Sequence, residues 1–468
     1  MADQESKGRQ ERRRAGREVR ASVPLEALGR WQAPADRRDP VAVLTQQDVS
    51  RVPDLVPVRH ARMLSSEFAF YRGAAAVMAS DLSYSPHTHL TVQLAGDAHL
   101  VNFGGYATPE RAFVFDLNDF DETLPGPFEW DLKRLVASFA VAGRANGFDE
   151  ATRARILGCV VRTYRESVEQ FSRMARLDVW YARLTIEDIE SRWSDQVNKQ
   201  YRKAFEKAAA RARTKTSARA LEKLTTTDER GNVTFDSNPP FLVPFHEMVG
   251  ADERSEYLRA TQAALVAYRR TLASDRRVLL SGYRLVDLAR KVVGVGSVGT
   301  RCWVMLVMAD QDESDVLMLQ VKQAQASVLE PYLGRSRTAH HGQRVVEGQR
   351  VMQAASDIML GYTHLHTAGE NVDFYVRQMW DWKESADVAG MDDKALEVYA
   401  HMCGWTLARA HCRSGDRVAL AGYLGSSDAL DTALTGFAEA YADQNARDFA
   451  SLQQAASAGR IEVAASGW

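Results

Sequence analysis

The sequence predicts an α+β chain built as two lobes, a small antiparallel β lobe and a larger helical lobe. Three observations predict it. Residues 283–324, "YRLVDLARKVVGVGSVGTRCWVMLVMADQDESDVLMLQVKQA", are short β-type runs separated by Gly-rich and Asp-rich turns, the pattern of an antiparallel meander. The chain on either side, from Glu150 to about Ala273 and over 393–468, carries mainly helical periodicity. At 468 residues with 45% hydrophobic content, each lobe has enough apolar chain to bury its own core.

Composition excludes several classes of function. Cys159, Cys302, Cys403 and Cys412 are scattered with no C-x-x-C pair, so neither a zinc knuckle nor a dithiol redox motif is present, and buried reduced thiols are expected. Lys plus Arg at 59 against Asp plus Glu at 61 argues against a wholly basic nucleic-acid binder. The start, "MADQESKGRQERRRAGREVR", is Arg-rich without an apolar core, and no apolar run of roughly 18 residues follows. These features predict a cytoplasmic protein without a membrane partner, whose residues 1–57 are a disordered basic tail and lead-in.

Folding proper is expected from Val58. "SSEFAFYRGAAAVMASDLSY" reads as a helix capped by Ser65 or Ser66, and "HTHLTVQLAGD" as a strand running into a loop at Gly96. "RAFVFDLNDF" is a second strand, and "EWDLKRLVASFAVAGRANG" a helix that stops at Gly147. The charged stretch "NKQYRKAFEKAAARARTKTSARALEKL" belongs to a helical insertion with a solvated face. After the meander, "GQRVVEGQRVMQAASDIML" is a helix and "VDFYVRQMWDWK" a strand.

Three motifs carry chemistry. In "VGVGSVGTR", Gly294, Gly296 and Gly299 satisfy G-x-G-x-x-G around Ser297. Such a loop opens a helix in dinucleotide folds, but joins two antiparallel strands over nucleotide phosphates in kinases. "TRCWVMLVMAD" has neither a helix cap nor a 3.6-residue period, which favours the hairpin. Glycine is needed where backbone amides approach phosphate oxygens that a Cβ would hold away. Second, Lys322 is the lone cation of the apolar run "LMLQVKQA", matching the strand lysine that holds α- and β-phosphates, and such a lysine is oriented by a helical glutamate. Glu347 is the preferred partner and Glu330 the reserve, while Gln378 and Met379 complete the expected nucleotide-binding set. Third, Asp97 and Asn102 in "AGDAHLVNFGG" have the D-x-x-x-x-N spacing that sets a base and a metal-binding amide on one loop. Asp119 in "NDFDE" is then the magnesium-binding aspartate, with Asp116 and Asp121 as competitors. A rival metal-hydrolase site would use His87 and His89 with His99 and Asp97.

Together "GDAHLVNFG", "FDLNDFDETLPGPFEWDLKRL", "RVVEGQRVMQAASDI" and "FYVRQMWDWK" resemble the bacterial domain-of-unknown-function family twenty-two fifty-two, grouped with the protein-kinase-like superfamily. More remotely, "GDAHLVN" is similar to the H-G-D-x-H-x-x-N loop of aminoglycoside phosphotransferases, with Ala95 in place of the motif's first histidine. On that resemblance Asp97 is the base, Asn102 and Asp119 are metal ligands, and Asp131 is a structural aspartate near a helix start. An ordinary kinase runs from glycine loop to catalytic loop, whereas here the catalytic segment comes first, which implies a circular permutation. Asp416 in "CGWTLARAHCRSGD" is the unpermuted candidate for the base, but Ala421 five residues later cannot bind a metal.

The expectation is therefore a two-lobe protein-kinase-like α+β fold, circularly permuted. Residues 280–383 form the β lobe, and residues 58–279 and 384–468 form the helical lobe, with the cleft between them. ATP and Mg2+ are the expected cofactors, in transfer of a phosphoryl group to a hydroxyl on a small molecule or protein. Nucleotide binding without turnover and AMP transfer are the alternatives.

Overall fold

The structure, a computed structural model, describes residues 2–193, 199–227, 231–312, 314–367, 370–379 and 382–465. Helix α1 (Ala2–Ser22) lies so close to the helix at Arg417–Leu424 that a Cβ on Gly16 would run into the Ala419 carbonyl. Residues 1–57 are thus not a disordered tail. Their sparse apolar residues hide the reason, which is a set of arginines reaching acceptors on the helical lobe: Arg13 pairs with Glu169 at 2.6 Å, and Arg37 pairs with Asp81 and Asp448, each at 2.6 Å. Helix α2 (Pro40–Asp48) starts at Asp39, whose carboxylate accepts from Val41 N, with proline at the first helical position.

Helices α3 (Val56–Met63), α4 (Glu67–Gly73) and α5 (Ala75–Ser83) follow. Ser66 caps α4 through Ala69 N at 3.0 Å, but the single expected helix is interrupted at Ala74. Strand β1 (Thr91–Leu94) pairs with β4 (Leu124–Pro127), and β2 (Phe103–Ala107) pairs with β3 (Phe113–Leu117), both antiparallel. The catalytic-type and acidic segments connect these short strands. Helix α6 (Phe128–Ala145) ends at Gly147, which takes φ +75°, and α7 (Glu150–Arg173) is capped by Asp149 through Thr152 N.

The β lobe is one six-stranded antiparallel sheet. Its members are β5 (Leu242–Pro244), β6 (Tyr283–Lys291), β7 (Cys302–Ala309), β8 (Val316–Gln323), β9 (Gly361–Thr367) and β10 (Glu370–Gln378), in the order β9-β10-β8-β7-β6-β5. Helix α8 (Ala251–Thr271) precedes β6, and α9 (His341–Met352) lies between β8 and β9. Side chains alternate across the pleat. Leu317, Leu319 and Val321 of β8 face Leu265, Tyr268 and Leu272, whereas Met318 faces Ala220, Leu224 and Phe235. The insertion before residue 280 therefore clads both faces of this sheet, and the lobe boundary lies earlier than the sequence suggests.

After β10 the chain forms β11 (Glu384–Ser385), which pairs with β2 at Gly104 and Gly105 and so ties the β lobe to the catalytic-type hairpin. Helices α10 (Asp393–Ser414), α11 (Arg417–Leu424) and α12 (Ala429–Ser457) close the helical lobe around α6 and α7. The four cysteines are buried and unpaired with one another. Among the described residues no helix is long and apolar enough to cross a membrane.

Arg37 provides the test of the folded N-terminal segment. Its side chain is 10% exposed between two buried aspartates. Arg37→Ala leaves both carboxylates uncompensated, and chemical denaturation is expected to show a loss of about 3–5 kcal/mol.

Candidate functional site

Register brings the acidic segments together. Because Phe103 pairs with Leu117, Asn102 and Asn118 sit at one end of the β2–β3 hairpin, joined by Asn118 N donating to the Asn102 carbonyl at 2.8 Å. Asp97 precedes this end, and the Asn102 amide nitrogen donates back to the Asp97 carbonyl at 2.7 Å. Gly96, at φ +83°, packs against Glu122 with no room for a Cβ. The buried Asp131 carboxylate on α6 accepts from Ala95 N and Gly96 N at 2.6 and 2.9 Å, clamping the loop from behind.

The glycine-rich loop arrives from the other lobe. It joins antiparallel β6 and β7, and no helix begins at its glycines. Gly294 and Gly299 take φ +66° and +89°. The end of the supposed tail and the helix after it hold the loop: Arg51 donates to the Val298 carbonyl, Val52 N to the Gly299 carbonyl, and Arg62 of α3 to the Gly294 carbonyl. Loop and acidic segments enclose a cavity of about 420 Å³ whose wall includes Asp97, Asn102, Asp119, Gly294, Gly296 and Ser297. Gly299 is set back from it, against Arg51.

Each aspartate of the early segment has a different environment. Asp116 is buried and spent on Arg409, outside the cavity. Asp121 accepts from Lys322, and from the Tyr375 hydroxyl at 2.8 Å. Asp119 lies 3.9 Å from Lys322 and keeps 31% of its side chain accessible to the cavity. Burial would raise the Asp119 pKa, but Lys322, then Arg377 and Lys383, pull it down to about 2. Burial likewise opposes the Lys322 charge, yet Asp119 and Asp121 hold its pKa well above that of a free lysine. Asp97 is ion-paired with Arg134, whose Nε donates to it at 2.8 Å while Nη2 donates to the Tyr71 carbonyl at 2.7 Å, and the guanidinium stacks on the Tyr71 ring.

Glu347 does not orient Lys322. Val345, Val346 and Met352 fix the inner face of α9, so Glu347 points outward and bonds to Gln343. Arg344 faces inward instead, donating to the carbonyls of Thr123, Asp121 and Gln325, each at 2.7 Å. Glu330 accepts from Ser327 N near its own helix start. Gln378 and Met379 lie at the end of β10, where Gln378 N donates to Asp357 and Met379 N to the Met318 carbonyl; neither reaches the main cavity. Asp416 is the cap of α11, bonded to Val418 N and Ala419 N. Among the described residues no three His, Cys, Asp or Glu side chains converge on a metal-sized site, so the arrangement of His87, His89 and His99 with Asp97 is not formed.

Sequence reasoning gave no role here to Arg72 or Glu122, and assigned His99 only to the rival metal site. Arg72, at the end of α4, lines the cavity and has no hydrogen bond or ion pair from its guanidinium among the described residues; burial lowers its pKa, which Asp97 partly offsets. His99 is buried with Nδ1 unpartnered, and burial pushes it down to about 4, so it is neutral at neutral pH. The Glu122 carboxylate accepts from Val328 N, and burial pushes its pKa up to about 7 despite Arg344. Glu122 has a local signal in its adjacency to "NDFD", and His99 in its place within "GDAHLVN"; Arg72 has none.

This wall offers hard oxygen ligands and the Arg72 guanidinium, with Lys322 buried behind it on Asp121, a donor set suited to a divalent cation with a polyanion. Residues 51–455 match the profile of DUF2252, described as an uncharacterized protein conserved in bacteria, and the chain belongs to that family. No curated protein and no solved structure matches the chain.

Glu122 makes the pH prediction. Its folded pKa, about 7, lies above the ordinary 4.5, so the stability it contributes is full below about 4.5 and is lost as pH rises through 7. Thermal denaturation of Glu122→Gln should show a flatter stability profile than the native chain across that window; parallel profiles would contradict the assignment.

Proposed function

We propose that this DUF2252 member is an ATP- and Mg2+-dependent phosphotransferase with a circularly permuted, protein-kinase-like fold. The observation that carries the reading is the shared cavity, where Asp97, Asn102 and Asp119 from the early segment meet Gly294, Gly296 and Ser297 from the late one. The order within the β lobe supports it. The glycine loop lies between β6 and β7, Lys322 on the following strand β8, and α9 between β8 and β9, the sequence of parts by which kinases hold nucleotide phosphates.

The donor chemistry fits the cofactors. Asn102 spends its amide nitrogen on Asp97, leaving its oxygen without a protein partner among the described residues, and Asp119 is ionised with a face on the cavity. These two side chains would hold Mg2+, which supplies charge neutralisation at the phosphates. Arg72 and the loop amides around Gly294 and Gly296 would meet the phosphates, with Lys322 behind the wall holding Asp121. Asp97, fixed by Arg134, orients the acceptor hydroxyl and takes its proton. In place of a helical glutamate, Asp121 orients the lysine.

A thermal-shift assay with ATP and Mg2+, followed by product analysis, tests this. ADP formation with a phosphorylated acceptor supports phosphoryl transfer, AMP-modified product with pyrophosphate supports AMP transfer, and binding without product supports a regulatory protein. Asp119→Ala is expected to abolish the Mg2+-dependent shift; an unchanged shift overturns the metal assignment.

Asp97→Asn should keep ATP binding while losing turnover about 100-fold or more. Arg72→Ala should weaken the ATP-dependent shift without lowering the melting temperature of the free chain, since it breaks no ion pair within the protein.

A further inference from the structure

The sheet that carries Lys322 has a second cavity on its opposite face. Trp303 and Met305 along β7, Val321 on β8, and Phe374 and Val376 on β10 share that face by alternation, and Arg301 lies just before β7 at its edge. Helix α8 covers it unevenly. Leu265, Tyr268 and Leu272 are packed down, with the Tyr268 hydroxyl bonded to the Met359 carbonyl. Between Tyr257 and Leu265 the helix presents Thr261 and Ala264 to the sheet, too small to fill the space, and a cavity of about 450 Å³ remains. Thr363 donates to the Ala264 carbonyl at 2.7 Å, which pins the helix at this height.

A space of this size and lining is more than a packing defect. Interiors pack to crystal-like density, and cavities of several hundred Å³ are characteristic of small-molecule sites. The wall is overwhelmingly apolar and has too few polar groups to satisfy a cluster of waters, so it suits an apolar occupant. Among the described lining residues the one charged side chain is Arg301, just before β7, whose planar fork of donors can hold a ligand carboxylate beside the partner it already has in the protein. We propose that this cavity binds a single apolar chain ending in a carboxylate, a fatty-acid-like ligand, with the chain against Trp303, Val321 and Phe374 and the acid group at Arg301. Val321 touches this ligand, while Lys322, the next residue, lies on the other face of the strand, bonded to Asp121.

The full chain is titrated with cis-parinaric acid, a fluorescent fatty acid, reading energy transfer from tryptophan, and then with dodecanoate and dodecanol as competitors. Saturable one-to-one uptake is expected, with dodecanoate displacing the probe about tenfold better than dodecanol. Ala264→Phe, which fills the space, should weaken uptake about tenfold or more while leaving the melting temperature unchanged or raised. Thr261→Leu is the parallel variant should the first fail to fold. Arg301→Gln should reduce dodecanoate to the level of dodecanol. Absence of saturable uptake, or unchanged affinity in a folded cavity-filling variant, overturns the site. Equal affinity for acid and alcohol in the native chain overturns the assignment of its charged end.

Discussion

The Lys322 ammonium between Asp121 and Asp119 is the constraint on which the arrangement of the lobes depends. The side chain is 3% exposed, so its charge is sustained only by those carboxylates, and they come from the other lobe. Removing a buried ion from water costs several kcal/mol unless its partners are close and themselves hydrogen-bonded. Asp121 meets that condition through the Tyr375 hydroxyl, from the strand beside Lys322. Arg344 adds a second tie, binding the carbonyls of Asp121 and Thr123. Sliding one lobe against the other would strand all of these charges together, which sets their relative position more sharply than apolar packing would.

Chain order is secondary to this constraint. The polar contacts between segments are made by side chains and short ladders, not by the peptide links between consecutive elements. The β11–β2 pairing shows how the connection is made in this order: β10 runs out of the sheet and its continuation docks directly on the hairpin that carries Asn102 and Asp119. This is why the proposed permutation is physically tolerable: contacts made by side chains and short ladders do not depend on which element comes first, provided the chain ends lie at the surface.

The parts legible in the sequence are those with short-range signals. The β meander announces itself through alternation and turn residues, the glycine loop through its spacing, and Ser66, Asp149 and Gly147 through capping chemistry. Glu347 illustrates a signal that is present but overridden by analogy: Val345, Val346 and Met352 mark the inner face, and Glu347 lies away from it. The N-terminal segment is illegible for another reason. Helix α1 is held by arginines reaching partners such as Glu169 and the Gly422 carbonyl, far along the chain, and by the absence of a side chain at Gly16, none of which produces an apolar stripe. Arg72 and Arg51 share this property, since nothing local distinguishes a cavity arginine from a solvated one.

Charge balance across the main cavity narrows what it is built to receive. Of its carboxylates, Asp97 is neutralised by Arg134 and Asp121 by Lys322, while Glu122 is held near the protonated state by burial. Asp119 remains ionised, 3.9 Å from the nearest ammonium and open to the cavity. Arg72 also lines this cavity, with no hydrogen bond or ion pair of its own among the described residues and only the through-space field of Asp97 to offset its burial. The neutral His99 adds no charge. The wall therefore carries an accessible carboxylate and an accessible guanidinium together, a mixture that suits neither a lone cation nor a lone anion. Under the function proposed above, a divalent metal on a phosphate chain would meet both, with the metal at the carboxylate and the phosphates at the guanidinium.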